Sequence, residues 1–140
     1  MDEQHSIKLA AHLESVEAAQ DFISRIVVPY GLSDDSIYHC HVSVDEVITN
    51  IVEHGYELSN TPEAIELILR REGESLIIEI IDGAPLFNPL MHPDPDPTLP
   101  LWERIEDGGW GINFVKRFMD AATYHSTGGR NHLRMVKQIK

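Results

Sequence analysis

Residues 42–56 read VSVDEVITNIVEHGY. Val44, Val47, Ile48 and Ile51 recur at helical spacing, so the stretch is expected to form an amphipathic helix. Asn50 sits inside that pattern, although asparagine is a poor interior helix residue that prefers caps and turns. Glu46 lies one turn before it and His54 one turn after. At about 100° per residue a four-residue step advances about 40°, so Glu46, Asn50 and His54 make a slowly drifting polar row away from the Val44/Ile48/Ile51 stripe. A carboxylate, an amide and an imidazole in such a row can serve one ligand. Taken alone, Glu46 and His54 also read as ordinary solvated residues.

Working outward, the N-terminal side holds a short apolar-polar alternation in HSIKLAAHLESV, expected as a first strand. ESVEAAQDFISRIVVPYG follows with Val16, Ala19, Phe22, Ile23 and Ile26 on one helical face, stopped by Pro29 and Gly31. Ser33 or Asp34 can cap the second, longer helix, and Gly55 helps to end it. On the C-terminal side, PEAIELILRREG and ESLIIEIIDG read as two strands around a turn near Glu72 and Gly73. Their apolar runs imply a well-covered sheet. Pro85, Pro89, Pro93, Pro95, Pro97 and Pro100 then crowd one long stretch without periodicity, a kind of segment that is usually functional or mobile. Helical spacing resumes in WGINFVKRFMD, and AATYHSTGG with NHLRMVKQIK closes the chain as a hairpin turning at Gly128 and Gly129. No repeat and no dividing linker is visible. One domain over 1–140 is expected, of α/β class: an α+β two-layer sandwich with a mixed, mostly antiparallel sheet covered on one face by helices.

Bulk composition narrows the function. The chain has 140 residues and 42% hydrophobic content, enough for one real core. No apolar run approaches the roughly 20 residues of a membrane span. The first residues lack a basic start followed by an apolar core, so a cytoplasmic location is expected. The formal net charge of −12 repels phosphate backbones, which argues against direct nucleic-acid binding and for a protein partner with a basic or neutral face. The single cysteine, Cys40, excludes an intrachain disulfide and reads as a buried helix residue. The eight histidines show no zinc-ligand spacing. A GxxxxGK[ST] phosphate loop and a kinase-like HRD or DFG set are absent.

Two further features stand out. Asp82 ends an apolar strand, where a carboxylate can accept a hydrogen bond from an exocyclic amine; an aspartate before glycine is also a common turn starter. Gly108, Gly109 and Gly111 precede or open a helix, where backbone N–H groups and the helix field favour phosphates; such a cluster is also a common loop.

In order along the chain, DEVITNIVEHGY, IIDGAPLFNP and DGGWGINFVKRFMD resemble the three nucleotide-binding boxes of the Bergerat-fold, histidine-kinase-like ATPases. That superfamily includes gyrase, heat-shock chaperones, sensor histidine kinases and mismatch-repair ATPases. The chain is most similar to its small stand-alone branch, bacterial anti-sigma factors that are serine-protein kinases. The resemblance implies ATP and Mg²⁺ as cofactors. It makes Asn50 the ligand of the magnesium ion, Glu46 the catalytic base toward a serine hydroxyl, and Asp82 the reader of the adenine amine. Gly108, Gly109 and Gly111 would form the hinge of an ATP lid over residues 88–107. His54 aligns with a polar position near the phosphates, and Ala84, Phe87 and Ile112 fall within the same boxes as nucleotide-binding residues. Ala84 stands where the family often has glycine, and Trp110 where a smaller aliphatic residue is common.

The resemblance further implies a homodimeric serine/threonine-protein kinase that alternately sequesters a sigma factor and phosphorylates an anti-anti-sigma partner, regulating transcription. The alternative is an ATP-binding switch module that holds a partner without significant phosphoryl transfer.

Overall fold

Alternation of period two at the N-terminus becomes strand β1 (Gln4–Leu9), with Ile7 and Leu9 turned to the core and Ser6 and Lys8 to solvent. The structure is a computed structural model describing residues 4–55, 64–91, 98 and 110–139. Helix α1 (Ser15–Val27) buries Ala19, Phe22, Ile23, Ile26 and Val27, close to the stripe expected from its spacing. Helix α2 (Asp34–Asn50) starts at Ser33, whose Oγ accepts the Ser36 N–H at 3.1 Å. Asp34 and Asp35 in its first turn complement the positive end of the helix. The helix was expected to continue unbroken to Gly55. Instead Ile51–Gly55 forms a π-helical turn, so the regular rise of α2 stops at Asn50. An i→i+5 turn rotates side chains by a different step, and such turns recur at functional sites.

Strands β2 (Ile65–Glu72) and β3 (Ser75–Asp82) form a hairpin, with Gly73 at φ 60° in the turn. Helix α3 (Trp110–Phe118) leads to the β4 (Ala121–Thr127) and β5 (Arg130–Gln138) hairpin. Gly128 and Gly129, at φ 62° and 75°, supply the two left-handed residues that a two-residue turn between twisted strands requires. The sheet order is β1-β2-β3-β5-β4. Every described pairing is antiparallel, so the mostly antiparallel sheet expected from the sequence is antiparallel throughout its described strands.

One face of the sheet meets the helices. Ile65, Leu67 and Leu69 of β2, Leu76, Ile78 and Ile80 of β3, and Leu133 and Met135 of β5 share a core with Ile23, Val44, Ile48 and Val115. The opposite face carries Glu66, Arg70, Glu79 and Arg134 around the buried Ile77 and Ile81. Cys40 is fully buried in α2, and burial pushes its thiol up to about 12, so it is an inert core residue. Among the described residues no group of three His, Cys, Asp or Glu could hold a metal ion, and no helix is long and apolar enough to cross a membrane.

Candidate active site

The apolar run of β3 ends on a carboxylate. Asp82 is only 4% exposed, and the strand register sets it opposite Ile65 of β2 and Asn131 of β5. A buried carboxylate is tolerated only when donors satisfy it. Asp82 Oδ1 accepts the Ala84 N–H and an Asn131 Nδ2 hydrogen, each at 2.9 Å. The same Nδ2 group reaches the carbonyls of Ala84 at 3.2 Å and Pro85 at 3.3 Å. Asn131 Oδ1 accepts the Phe87 N–H at 3.0 Å and the Tyr124 hydroxyl at 2.5 Å. One asparagine thereby ties Asp82, Ala84 and Phe87 into a single constellation. The backbone N–H and carbonyl of Ala84 are both engaged within the protein. Phe87, 61% exposed, presents its ring outward beside the exposed Leu86.

Glu46 and Asn50 lie one turn apart on α2, as the spacing requires, and both are half-buried. Partial burial raises the proton affinity of the Glu46 carboxylate, and the neighbouring charges of Asp45 and Glu53 raise it further. Thr49 Oγ1 donates to Asp45 Oδ1 at 3.1 Å, which holds that second carboxylate beside Glu46. Asn50 is the last residue of α2, immediately before the π turn. His54 belongs to the π turn, and its side chain lies outside the described residues, so the polar row is followed only as far as Asn50.

Helix α3 begins at Trp110 with Gly111 in its first turn. Ile112, 3% exposed, points into the core with Val115 and Met119, so a ligand could meet it only through its backbone. The far end of α3 is fixed. Lys137 Nζ donates to the Phe118 carbonyl at 2.5 Å and lies 3.0 Å from His39 Nδ1, while the His39 ring stacks on Phe118 with centroids 4.5 Å apart. A cation at the C-terminal end of a helix is favourably placed. Gly108, Gly109 and most of the expected lid, 92–97 and 99–107, lie outside the described residues.

Reading the sequence alone missed Asn131 and Tyr124. Asn131 follows the Gly128–Gly129 turn by two residues, in GGRN. Its partnership with Asp82 depends on how β5 registers against β3, a pairing across 49 positions of chain.

A profile of the histidine kinase-like ATPase domain matches residues 9–137. Serine/threonine-protein kinase BtrW of Bordetella bronchiseptica is 32% identical over 95 residues, which cover 66% of this chain and 63% of that protein. Serine-protein kinase RsbW of Oceanobacillus iheyensis is 29% identical over 126 residues, covering 81% of this chain and 73% of that one. A solved structure of the RsbU and RsbW domains of a Mycobacterium tuberculosis protein matches with TM-score 0.70 at 15% identity, covering 98% of this chain and 32% of that chain. At that identity the likeness is one of fold. The five-stranded antiparallel sheet, the helices on one face and the near-complete profile match agree: the chain belongs to the histidine kinase-like ATPase domain family.

Proposed function

We propose that the chain binds ATP and transfers its terminal phosphoryl group to a serine or threonine of a protein partner. The observation that carries this reading is Glu46: a half-buried carboxylate of raised proton affinity, on the same helix as Asn50 and one turn before it. A carboxylate so tuned is a better proton acceptor at neutral pH than a solvated one. Glu46 would take the hydroxyl proton as the serine Oγ–P bond forms and the bond from the terminal phosphorus to its bridging oxygen breaks, releasing ADP. Asp82 would accept the adenine amine, with Ala84 and Phe87 bordering the base. Gly108, Gly109, Gly111 and the backbone of Ile112 would approach the phosphates, with His54 nearby.

Magnesium fits the residues present. The Asn50 amide is half-buried at a helix end, and the described residues give it no hydrogen-bond partner. Its carbonyl oxygen is a hard donor of the kind magnesium accepts, with phosphate oxygens and waters filling the other positions. The ion would supply neutralisation of phosphate charge.

The partners proposed are a sigma factor and an anti-anti-sigma protein, bound in turn by a cytoplasmic homodimer of this single-domain chain. Relatives named as serine-protein kinases support this reading. So does the charge of −12, which suits a protein target better than DNA. The test is incubation with terminally labelled ATP, magnesium and a candidate partner protein, with Glu46→Gln alongside. Label on a serine of the partner with the wild type, and its loss in the variant, is the expected result. ATP binding without transfer to any partner would leave only a nucleotide-controlled binding module.

A further inference from the structure

We infer that Asn131 is the positioning residue for base selection, aiming the Asp82 carboxylate and fixing the backbone of 84–87 through one side-chain amide. The inference deepens the proposed reading of Asp82 as acceptor of the adenine amine and rests on it. Asn131 itself is 7% exposed and is tied on all sides to protein atoms, so it acts through Asp82 and not by touching the base.

A primary amide offers two N–H donors and one oxygen with two lone pairs. Every one of these is in use. The NH₂ group faces three acceptors, Asp82 Oδ1, Ala84 O and Pro85 O. The oxygen faces two donors, the Phe87 N–H and the Tyr124 hydroxyl. The chemistry of the neighbours fixes the orientation of the amide. A backbone N–H can only donate and a carbonyl can only accept, so a flipped amide would set donor on donor and acceptor on acceptor. A serine or threonine hydroxyl, with one donor hydrogen, could not replace this set.

The consequence falls on Asp82. Both hydrogen bonds, from Ala84 and Asn131, go to Oδ1, which holds the carboxylate in one orientation; among the described residues no donor is paired with Oδ2, the oxygen that would meet an incoming amine. Adenine presents that amine. Inosine triphosphate carries a carbonyl there, which a fixed carboxylate repels. Discrimination between the two nucleotides therefore depends on the carboxylate staying in place, and Asn131 keeps it there. Tyr124, on β4, holds the amide from behind and ties the last hairpin into the same device.

The test is calorimetric titration of magnesium-ATP and magnesium-ITP into wild type, Asn131→Asp and Tyr124→Phe, each at a temperature where circular dichroism shows it folded. Asn131→Asp is nearly isosteric. It keeps acceptors for Phe87 and Tyr124 but turns a carboxylate toward Asp82. The wild type should prefer ATP. Asn131→Asp should cut the ATP-to-ITP affinity ratio at least about tenfold, as expected when a charge-assisted hydrogen bond is replaced by repulsion. Tyr124→Phe should lower the ratio a few-fold and carries the test if the aspartate variant does not fold. A residue that merely stabilises the fold would lower melting temperatures and leave the ratio of the folded protein unchanged; that result overturns the positioning role while Asp82 stands. A wild type that does not distinguish the nucleotides overturns the Asp82 reading and this inference with it.

Discussion

At the end of β3 a carboxylate sits 4% exposed with two donors on one of its oxygens; along α2 a second carboxylate sits half-buried beside two more negative charges. Asp82 is surrounded by groups that hold it still. Glu46 is surrounded by groups that make its negative charge less comfortable, burial first, then Asp45 and Glu53. The contrast separates two uses of the same functional group. A satisfied carboxylate is a fixed recognition point, because its hydrogen bonds set its direction before any ligand arrives. A partly desolvated carboxylate among like charges holds a proton more readily and is suited to taking one. Asn50 belongs to the second region, half-buried one turn after Glu46 at the end of α2. On the proposed reading, the carboxylate that would meet the base is oriented by hydrogen bonds within the protein, and the one that would take the proton is tuned by burial and neighbouring charge.

The sharpest way to break the comparison is Glu46→Gln. It should lower phosphoryl transfer by about 10²–10⁴-fold, the range for a positioned general base, with ATP affinity nearly unchanged. The same variant should melt at a higher temperature at neutral pH, because it removes a charge disfavoured by burial and by Asp45 and Glu53. Single-turnover rates, calorimetry and thermal melts check the three parts. Transfer at the wild-type rate would show that Glu46 is not the base.

Asp82→Ala should show the reverse signature. Affinity for ATP should fall about 10- to 100-fold, as expected from loss of a hydrogen bond to a charged group. The Ala84 N–H and the Asn131 amide would also lose their acceptor, so stability should fall by about 1–3 kcal/mol. Denaturant midpoints and nucleotide titration measure both. A variant that loses stability but keeps affinity would make Asp82 a structural residue alone.

Lys137→Met probes whether the remote fixing of α3 matters to the site at its other end. Removing the ammonium leaves the Phe118 carbonyl without its donor, at a cost of about 1–2 kcal/mol in unfolding free energy. ATP affinity should change only a few-fold, since Ile112, Val115 and Met119 still anchor the helix. An affinity loss as large as that of Asp82→Ala would mean that Lys137 positions the site directly.

The smallest effect is one of pH, and its sign follows from the raised proton affinity of Glu46. Between the ordinary carboxylate value of 4.5 and the higher folded value, the folded chain holds a proton that the unfolded chain has lost. Glu46 therefore contributes stability at acid pH that disappears as pH rises through the folded value. Transfer should follow the opposite course, falling as pH drops through that value and the base is protonated. The difference in melting temperature between wild type and Glu46→Gln should widen as pH rises across the window. A difference that stays constant would place Glu46 in a solvated environment.

Much of the fold was legible because it rests on local chemistry. Helical spacing marked the α1 face through Ala19, Phe22, Ile23 and Ile26, and the glycine pair 128–129 marked the last hairpin. Glu46 and Asn50 were legible as a pair because a helix converts a separation of four residues into adjacency. The π turn after Asn50 was not, since VITNIVEHG carries the same apolar spacing whether its hydrogen bonds close four or five residues back.

By itself, the sequence determined the order of elements, the apolar stripes and the polar residues that interrupt them, because propensity, periodicity and turn chemistry act over a few residues. Tertiary structure alone decided which interruptions meet. Asp82 and Asn131 are 49 positions apart, and only the antiparallel register of β3 on β5 sets them opposite each other. Only burial at that strand end turns an aspartate before a glycine into a carboxylate with one fixed direction. The same holds for Glu46 in its largest part: the charges of Asp45 and Glu53 lie on its own helical run, but its proton affinity depends first on how much water the packed helices leave around it. Desolvation and long-range hydrogen bonding have no local sequence signature, because both are properties of the packed chain.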